Sequence, residues 1–154
     1  MHPTEINRLF SAWGPGLSDG LVDTSDWISL KGAKGCWIYI SEIGNGATNQ
    51  TFTVHEGTTG TGTTAIAKAW PIYTQLTSLA DDSWVKATSA ITYTLVVSAV
   101  TKMVAFYIDA SILTDGCDWI QLGASGGNAA NYVSVHYQLV GERYQSVDPP
   151  TAIA

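Results

Sequence analysis

Three histidines, two cysteines and three pairs of carboxylates are the side chains of this 154-residue sequence whose types could support catalysis or hold a metal. His2, His55 and His136 stand apart from Cys, Asp and Glu at any spacing that builds a metal site, so no metal is expected. His55 and His136 fall on the polar faces of alternating stretches and read as exposed single histidines. Acid-base work needs carboxyls held in tuned environments. Asp81 and Asp82 precede "SWVKAT", and Asp115 and Asp118 flank "GC" before "DWIQL", which makes both pairs turn residues; Glu42 and Glu56 complete the set. There is no Gly-x-Ser-x-Gly elbow, and neither Cys36 nor Cys117 has a histidine or helix start nearby to activate its thiol. The Gly-rich "EGTTGTGTTA" lacks the Gly-Lys-Ser/Thr of a phosphate loop and reads as a connection between strands. These residues point to no enzyme and no cofactor.

The conspicuous chemistry is aromatic: Trp13, Trp27, Trp37, Trp70, Trp84 and Trp119, with seven Tyr. Exposed on a sheet, such rings make platforms for sugars or anchors at protein interfaces; buried, they fill the core. Three or four of the six Trp are expected in the core or at sheet margins, leaving Trp13 and Trp37 as interface candidates. Charged residues are only 13% of the chain, against roughly 25% in ordinary globular chains. Either much of the surface meets other protein, or a Thr- and Ser-rich sheet face is solvated. A net charge of −6 without a basic run gives nucleic-acid binding no counterion-release source, so no direct nucleic-acid partner is expected. Apolar runs such as "MVAFYI" fall far short of a membrane span, and the N-terminus lacks a signal pattern; a soluble, cytoplasmically made chain with no membrane partner is the expectation. Two cysteines make no disulfide framework, and buried free thiols are expected, with a single bridge left open.

The elements that must position these aromatics follow from periodicity. "PTEINRLFSAWG" spaces Ile6, Leu9, Phe10 and Trp13 as a helix would, between Thr4 and Gly14 as caps, and predicts a short amphipathic helix docked on its own sheet or on a neighbour. From Leu21 the period becomes two. In "CWIYISE", Cys36, Ile38 and Ile40 share one face and Trp37, Tyr39 and Ser41 the other. "IGNGATNQ" then supplies Asn-Gly turn chemistry, predicting a hairpin with "TFTVHE". "ITYTLVVSAV" and "NYVSVHYQL" alternate in the same way, "MVAFYI" reads as a central strand, and "DASILTDG" as one helical turn capped by Asp109. With "WISLK", "AIAKAWPIY", "SWVKAT" and "DWIQLGA" the count reaches eight or nine strands. The expected fold is all-β, an antiparallel β-sandwich with jelly-roll-like connections. Residues 1–20 are expected to form an N-terminal arm or short helix, 21–145 the sandwich, and 146–154 a tail in which Pro149 and Pro150 favour an extended conformation, either a disordered end or an arm laid across a neighbour. "SDWISLKGAKG" and "CDWIQLGASGG" lie more than half the chain apart, and the match does not continue beyond them. Each marks a strand start rather than a duplication, as does the looser "DDSWVKAT".

Taken in order, "SDWISLKGAKGCWIYI", "QTFTVHEGT", "DSWVKATSA", "FYIDASILTDGCDWIQLGAS" and "NYVSVHYQLVGERY" resemble head decoration, or cement, proteins of tailed bacteriophages. The resemblance runs from about Asp26 to Tyr144. It rests on a Trp-x-Ser-Leu-Lys opening strand, a Cys-initiated second strand, a Tyr-Ile-x-Ala-x-x-Leu segment from Tyr107 to Leu113 and a last strand closing in Arg143-Tyr144; "MHPTEINRLFSAWGPG" lies outside it. It implies a β-rich protein made in the host cytoplasm and carried on the outer surface of the virion. There it would bind the major capsid protein, often as a homotrimer at three-fold positions, and reinforce the head against DNA pressure. Arms are natural inter-subunit elements, so the expected interface residues are Phe10 and Trp13 near the N-terminus, Trp37 on the sheet, and Pro149, Pro150 and Ile153 in the tail. A second reading is a carbohydrate- or receptor-binding module of a virion or fibre, in which exposed Trp and Tyr grip a sugar.

Overall fold

The computed structural model describes residues 9–17, 25–43, 49–75, 83–96, 101–127 and 130–141. Among them are eleven strands: β1 (Leu9–Leu17), β2 (Ile28–Ser29), β3 (Gly35–Ile43), β4 (Gln50–Gly57), β5 (Thr64–Ala65), β6 (Trp70–Gln75), β7 (Val85–Ala90), β8 (Thr92–Leu95), β9 (Thr101–Asp109), β10 (Trp119–Gly126) and β11 (Tyr132–Val140). One sheet has the order β1-β11-β3-β9-β6-β7. The other runs β2-β10-β4, with β5 and β8 sharing the free edge of β4. Every pairing is antiparallel, and four of them are nested: β1 with β11, β2 with β10, β3 with β9 and β4 with β8. That nesting is one long hairpin wound over itself, the jelly-roll connection, with the β6–β7 hairpin extending the larger sheet.

Period-two patterning builds the core between the sheets. Cys36, Ile38 and Ile40 of β3, Val104, Phe106 and Ile108 of β9, and Val133, Val135, Tyr137 and Leu139 of β11 face Phe52 and Val54 of β4 and Ile120 and Leu122 of β10. Each large apolar side chain so enclosed stabilises the fold by about 1.5–3 kcal/mol. Trp70 is fully buried and packs on Phe106 with ring centroids 4.5 Å apart. A single 3-10 turn, Ala110–Ile112, follows β9, and the Asp109 carboxylate caps it by accepting from the Ser111 amide at 2.9 Å.

Two expectations are corrected. Residues from Leu9 onward form a strand, not a helix, so Leu9–Leu17 belongs to the sandwich rather than to an arm. Part of the helix-like spacing came from a bulge: the register with β11 shifts between Ser11 and Trp13, so Phe10 and Trp13, three residues apart, both pack on the core with Ala12, while Leu9 stays exposed. So short a helix has little stability of its own, whereas the edge of β11 offers a ladder of hydrogen bonds. The second correction concerns β3 and β4, which are not a hairpin. β3 is paired along both edges, by β11 and β9, and β4 lies in the opposite sheet. The segment "AIAKAWPIY" also divides, into β5 and β6.

Candidate aromatic docking face

Because β3 turns Cys36, Ile38 and Ile40 inward, Trp37 and Tyr39 emerge on the outer side of the six-stranded sheet. Register then fixes their neighbours. Trp37 lies between Gln138 of β11 and Tyr107 of β9, Tyr39 lies between His136 and Ala105, and Ala105 is paired in turn with Tyr73 of β6. The Trp37 ring is 5.0 Å from that of Tyr107, 5.4 Å from Tyr73 and 6.1 Å from Tyr39, measured between centroids. The Tyr39 hydroxyl donates to Gln138 Oε1 at 3.0 Å, which fixes that ring at the rim. Gly35 makes room for Tyr107: a Cβ there would stand 2.8 Å from the Tyr107 hydroxyl and 2.6 Å from the Ile108 carbonyl.

Trp37, Tyr39, Tyr73, Trp84 and Ala105 enclose a recess of about 240 Å³. Ala105 keeps its floor low, and Trp84, just ahead of β7, is 40% exposed. No lining residue is charged. Burial pushes the Tyr39 phenol above its ordinary value, and burial with the nearby Asp109 carboxylate does the same for Tyr107, so both stay neutral at physiological pH. Rings braced against one another lose little freedom on binding, and their faces suit the apolar side chains of a protein or the C–H face of a sugar.

Of the residues expected from sequence, Trp37 stands at the centre of this cluster. Phe10 and Trp13 sit elsewhere, partly buried against the core from β1. Pro149, Pro150 and Ile153 lie outside the described residues. Tyr39, Tyr73, Tyr107 and Trp84 were missed. Tyr39 is legible two residues beyond Trp37, but Tyr73 and Tyr107 become neighbours only once the order β3-β9-β6 is known. Trp27 and Trp70 are buried.

The remaining chemistry is dispersed. His55 projects from the outer face of β4 beside Gly123, and His136 from the outer face of β11, so the two lie on opposite sides of the sandwich. Glu56 is buried and accepts from the Thr114 amide at 2.8 Å and from the Thr114 hydroxyl. Glu42, also buried, accepts from Asn131 Nδ2 at 3.4 Å, and burial raises its carboxyl to about 7. The Gly-rich connection closes through a Thr59–Thr61 bridge rather than opening a cradle of amides. Both cysteines are free; Cys36 is buried and Cys117 partly exposed. Among the described residues no group of three or more His, Cys, Asp or Glu could hold a metal. In comparison with known proteins, no family model, curated protein or solved structure matches the chain.

Proposed function

We propose that this chain is a structural virion protein that docks through the outer aromatic face of its six-stranded sheet onto the outside of an assembled phage head. There it bridges neighbouring copies of the major capsid protein and stabilises the shell. The observation that carries the reading is the cluster of Trp37, Tyr39, Tyr73, Tyr107 and Trp84: the inner side of the sheet already makes the core, and the outer side still gathers rigid anchors around an uncharged recess. The sequence resemblance to decoration proteins supports it, as does the low charge. The jelly-roll order adds only an architectural analogy, since capsid and lectin domains share it with many others. Docked as a homotrimer, three modest contacts at symmetric sites would add through effective concentration. Heads lacking the protein test this directly: purified chain should co-sediment with them and raise the temperature at which they release DNA. Failure to do either overturns the proposal.

A second reading, a carbohydrate-binding module, is favoured by the size of the recess and by the polar edge that Tyr39 and Gln138 give it. Binding of a neutral glycan by the isolated chain, lost on Trp37→Ala, would select it over head binding.

A further inference from the structure

We infer that Lys102 is a two-position latch at one end of the sandwich: it holds the end of β8 while the Glu42 carboxyl is protonated, and turns to Glu42 when that carboxyl ionises. The end concerned is where β3 and β8 finish and β9 starts. After Cys36, Ile38 and Ile40, alternation carries Glu42 inward too, and it is 1% exposed. Register sets Lys102 of β9 beside it on the same face, with about 5 Å between Cβ atoms. The Lys102 ammonium nevertheless goes elsewhere. Its Nζ donates to the carbonyl of Val96, the residue after β8, and so reaches from the six-stranded sheet to the other. Glu42 keeps a long bond of 3.4 Å from Asn131 Nδ2 to Oε1, and its Oε2 has no hydrogen-bond partner.

One flexible ammonium thus has two acceptors within reach, and the charge on Glu42 decides between them. A protonated carboxyl gives Lys102 no reason to leave the Val96 carbonyl. An ionised carboxylate with an unpartnered buried oxygen is strongly unfavourable until a cation meets it. The four-carbon stem of Lys102 lets the ammonium turn without moving β9. Lys102 is the charged group that faces Glu42 from β9. From the start of β11 the neighbours are Asn131 and Val133. The opposite sheet brings the register row of Leu95 on β8, Gln50 on β4 and Gly126 on β10 to this end, and none of these groups titrates. Burial raises the Glu42 carboxyl to about 7, so the exchange falls near neutral pH. Its consequence is local. Above the transition the Val96 carbonyl loses its tie to β9, and the end of β8 is left with its pairing to β4 through Leu95 and Gln50. This edge of the five-stranded sheet therefore loosens as pH rises, whatever partner the aromatic face binds.

The test follows one carbonyl by nuclear magnetic resonance. Val96-Val97 is the only Val-Val step in the sequence. A full-length chain with isotope labels only on valine carbonyls and valine amides therefore gives a single carbonyl-amide correlation, that of Val96. Labelled glutamate reports the Glu42 carboxyl, assigned through Glu42→Gln. Between about pH 5 and about pH 9 the Val96 carbonyl should shift with the same midpoint as the Glu42 carboxyl. In Glu42→Gln it should stay at its low-pH position throughout. In Lys102→Met it should stay near its high-pH position throughout, and the Glu42 carboxyl should titrate at higher pH than in the parent because its cation is gone. A Val96 carbonyl that stays still while Glu42 titrates, or that moves with a different midpoint, overturns the latch. So does a Val96 carbonyl that still titrates in Lys102→Met. The comparison of midpoints is made on the unaltered chain, so it decides the matter even where a variant fails to fold.

Discussion

The hydroxyl of Tyr137, on β11, accepts a hydrogen bond from the backbone amide of Leu122, on β10, at 2.8 Å, and so ties one sheet to the other through the core. The reason lies in the shortness of β2, which pairs with β10 only at Ile28 and Ser29. Beyond that point the β2-side backbone of β10 has lost its ladder partner, and side chains take over: Ser25 Oγ donates to the Leu122 carbonyl and lies 3.3 Å from the Tyr137 hydroxyl. Burial pushes the Tyr137 phenol well above the ordinary tyrosine value, so it remains protonated. Tyr137→Phe keeps the ring and strands a buried amide. Denaturant unfolding should show a loss of about 1–3 kcal/mol, and an unchanged midpoint would mean that water replaces the hydroxyl.

Glu42 predicts a pH dependence with a definite sign. Its carboxyl faces inward at the end of β3, one oxygen bonded by Asn131 and the other, Oε2, without a hydrogen-bond partner. Burial raises it from 4.5 to about 7, against the lowering effects of Asn131 and of Lys102, its register partner on β9. Below about pH 4.5 the group is protonated in both folded and unfolded chains. Above that the unfolded chain releases its proton first, so stability falls as pH rises to about 7 and then levels; the full shift corresponds to about 3 kcal/mol, and solvent screening of a carboxyl at the end of its strand reduces the decline to roughly 2 kcal/mol. Glu42→Gln should flatten that part of the profile and unfold later than the parent at pH 8, as followed by urea titration. A parallel decline in both chains would assign the effect to other groups.

The inward alternation of Cys36, Ile38 and Ile40 was readable from sequence, and with it the outward aim of Trp37. The Asp109 cap was equally legible, because it depends on neighbouring residues alone. What sequence could not supply was strand order. Tyr73 and Tyr107 reach Trp37 through pairings between residues distant in the chain. The strand at Leu9–Leu17 was misread because a bulge sets Phe10 and Trp13, three residues apart, on one face, which is the spacing of neighbours on a helix. An Asn-Gly turn signal before "TFTVHE" likewise says that the chain bends there, and nothing about which sheet it then joins.

Gly35 couples the backbone to the aromatic face. A methyl group at this position meets the Ile108 carbonyl at 2.6 Å and the Tyr107 hydroxyl at 2.8 Å. The tyrosine can swing aside, but the carbonyl belongs to the β3–β9 ladder and cannot. Gly35→Ala should therefore lower stability by about 1–3 kcal/mol and also change near-ultraviolet circular dichroism as Tyr107 leaves Trp37. A Tyr107→Phe variant, lacking the hydroxyl, should recover only part of the stability. Full recovery would place the conflict on the side chain alone.

The two thiols should differ sharply in reactivity. Cys36 is fully buried, and burial raises its thiol far above the ordinary value, while its Sγ lies 3.2 Å from the Trp37 carbonyl. Cys117 is partly exposed, with its thiol raised by desolvation and by the Glu56 and Asp118 carboxylates. Since the thiolate is the nucleophile, a thiol reagent should label one equivalent slowly at pH 7 and faster as pH rises, with the second equivalent appearing only on unfolding. Mass mapping should place the first label on Cys117. Early labelling of Cys36 would show that the sandwich opens locally.

Trp37 and Trp13 should separate binding from folding. Trp37 faces outward, and its removal sacrifices contacts with Tyr39, Tyr73 and Tyr107 at about 0.5–1.5 kcal/mol per aromatic pair, leaving the core intact. Trp13 packs on the core from β1, and its removal opens space at the margin of the sandwich. Trp13→Ala should therefore cost about 3 kcal/mol or more in stability and retain head binding at temperatures where the variant stays folded. Trp37→Ala should melt several degrees or more below the parent but still fold around an intact core, and should lose at least tenfold in head affinity when compared at temperatures where both are folded, since a central aromatic anchor is worth about 2 kcal/mol or more at an interface. Co-sedimentation titrations alongside thermal melts measure both quantities on the same preparations. If Trp37→Ala binds heads as the parent does while Trp13→Ala fails when folded, the docking surface lies at the β1 edge and not on the aromatic face.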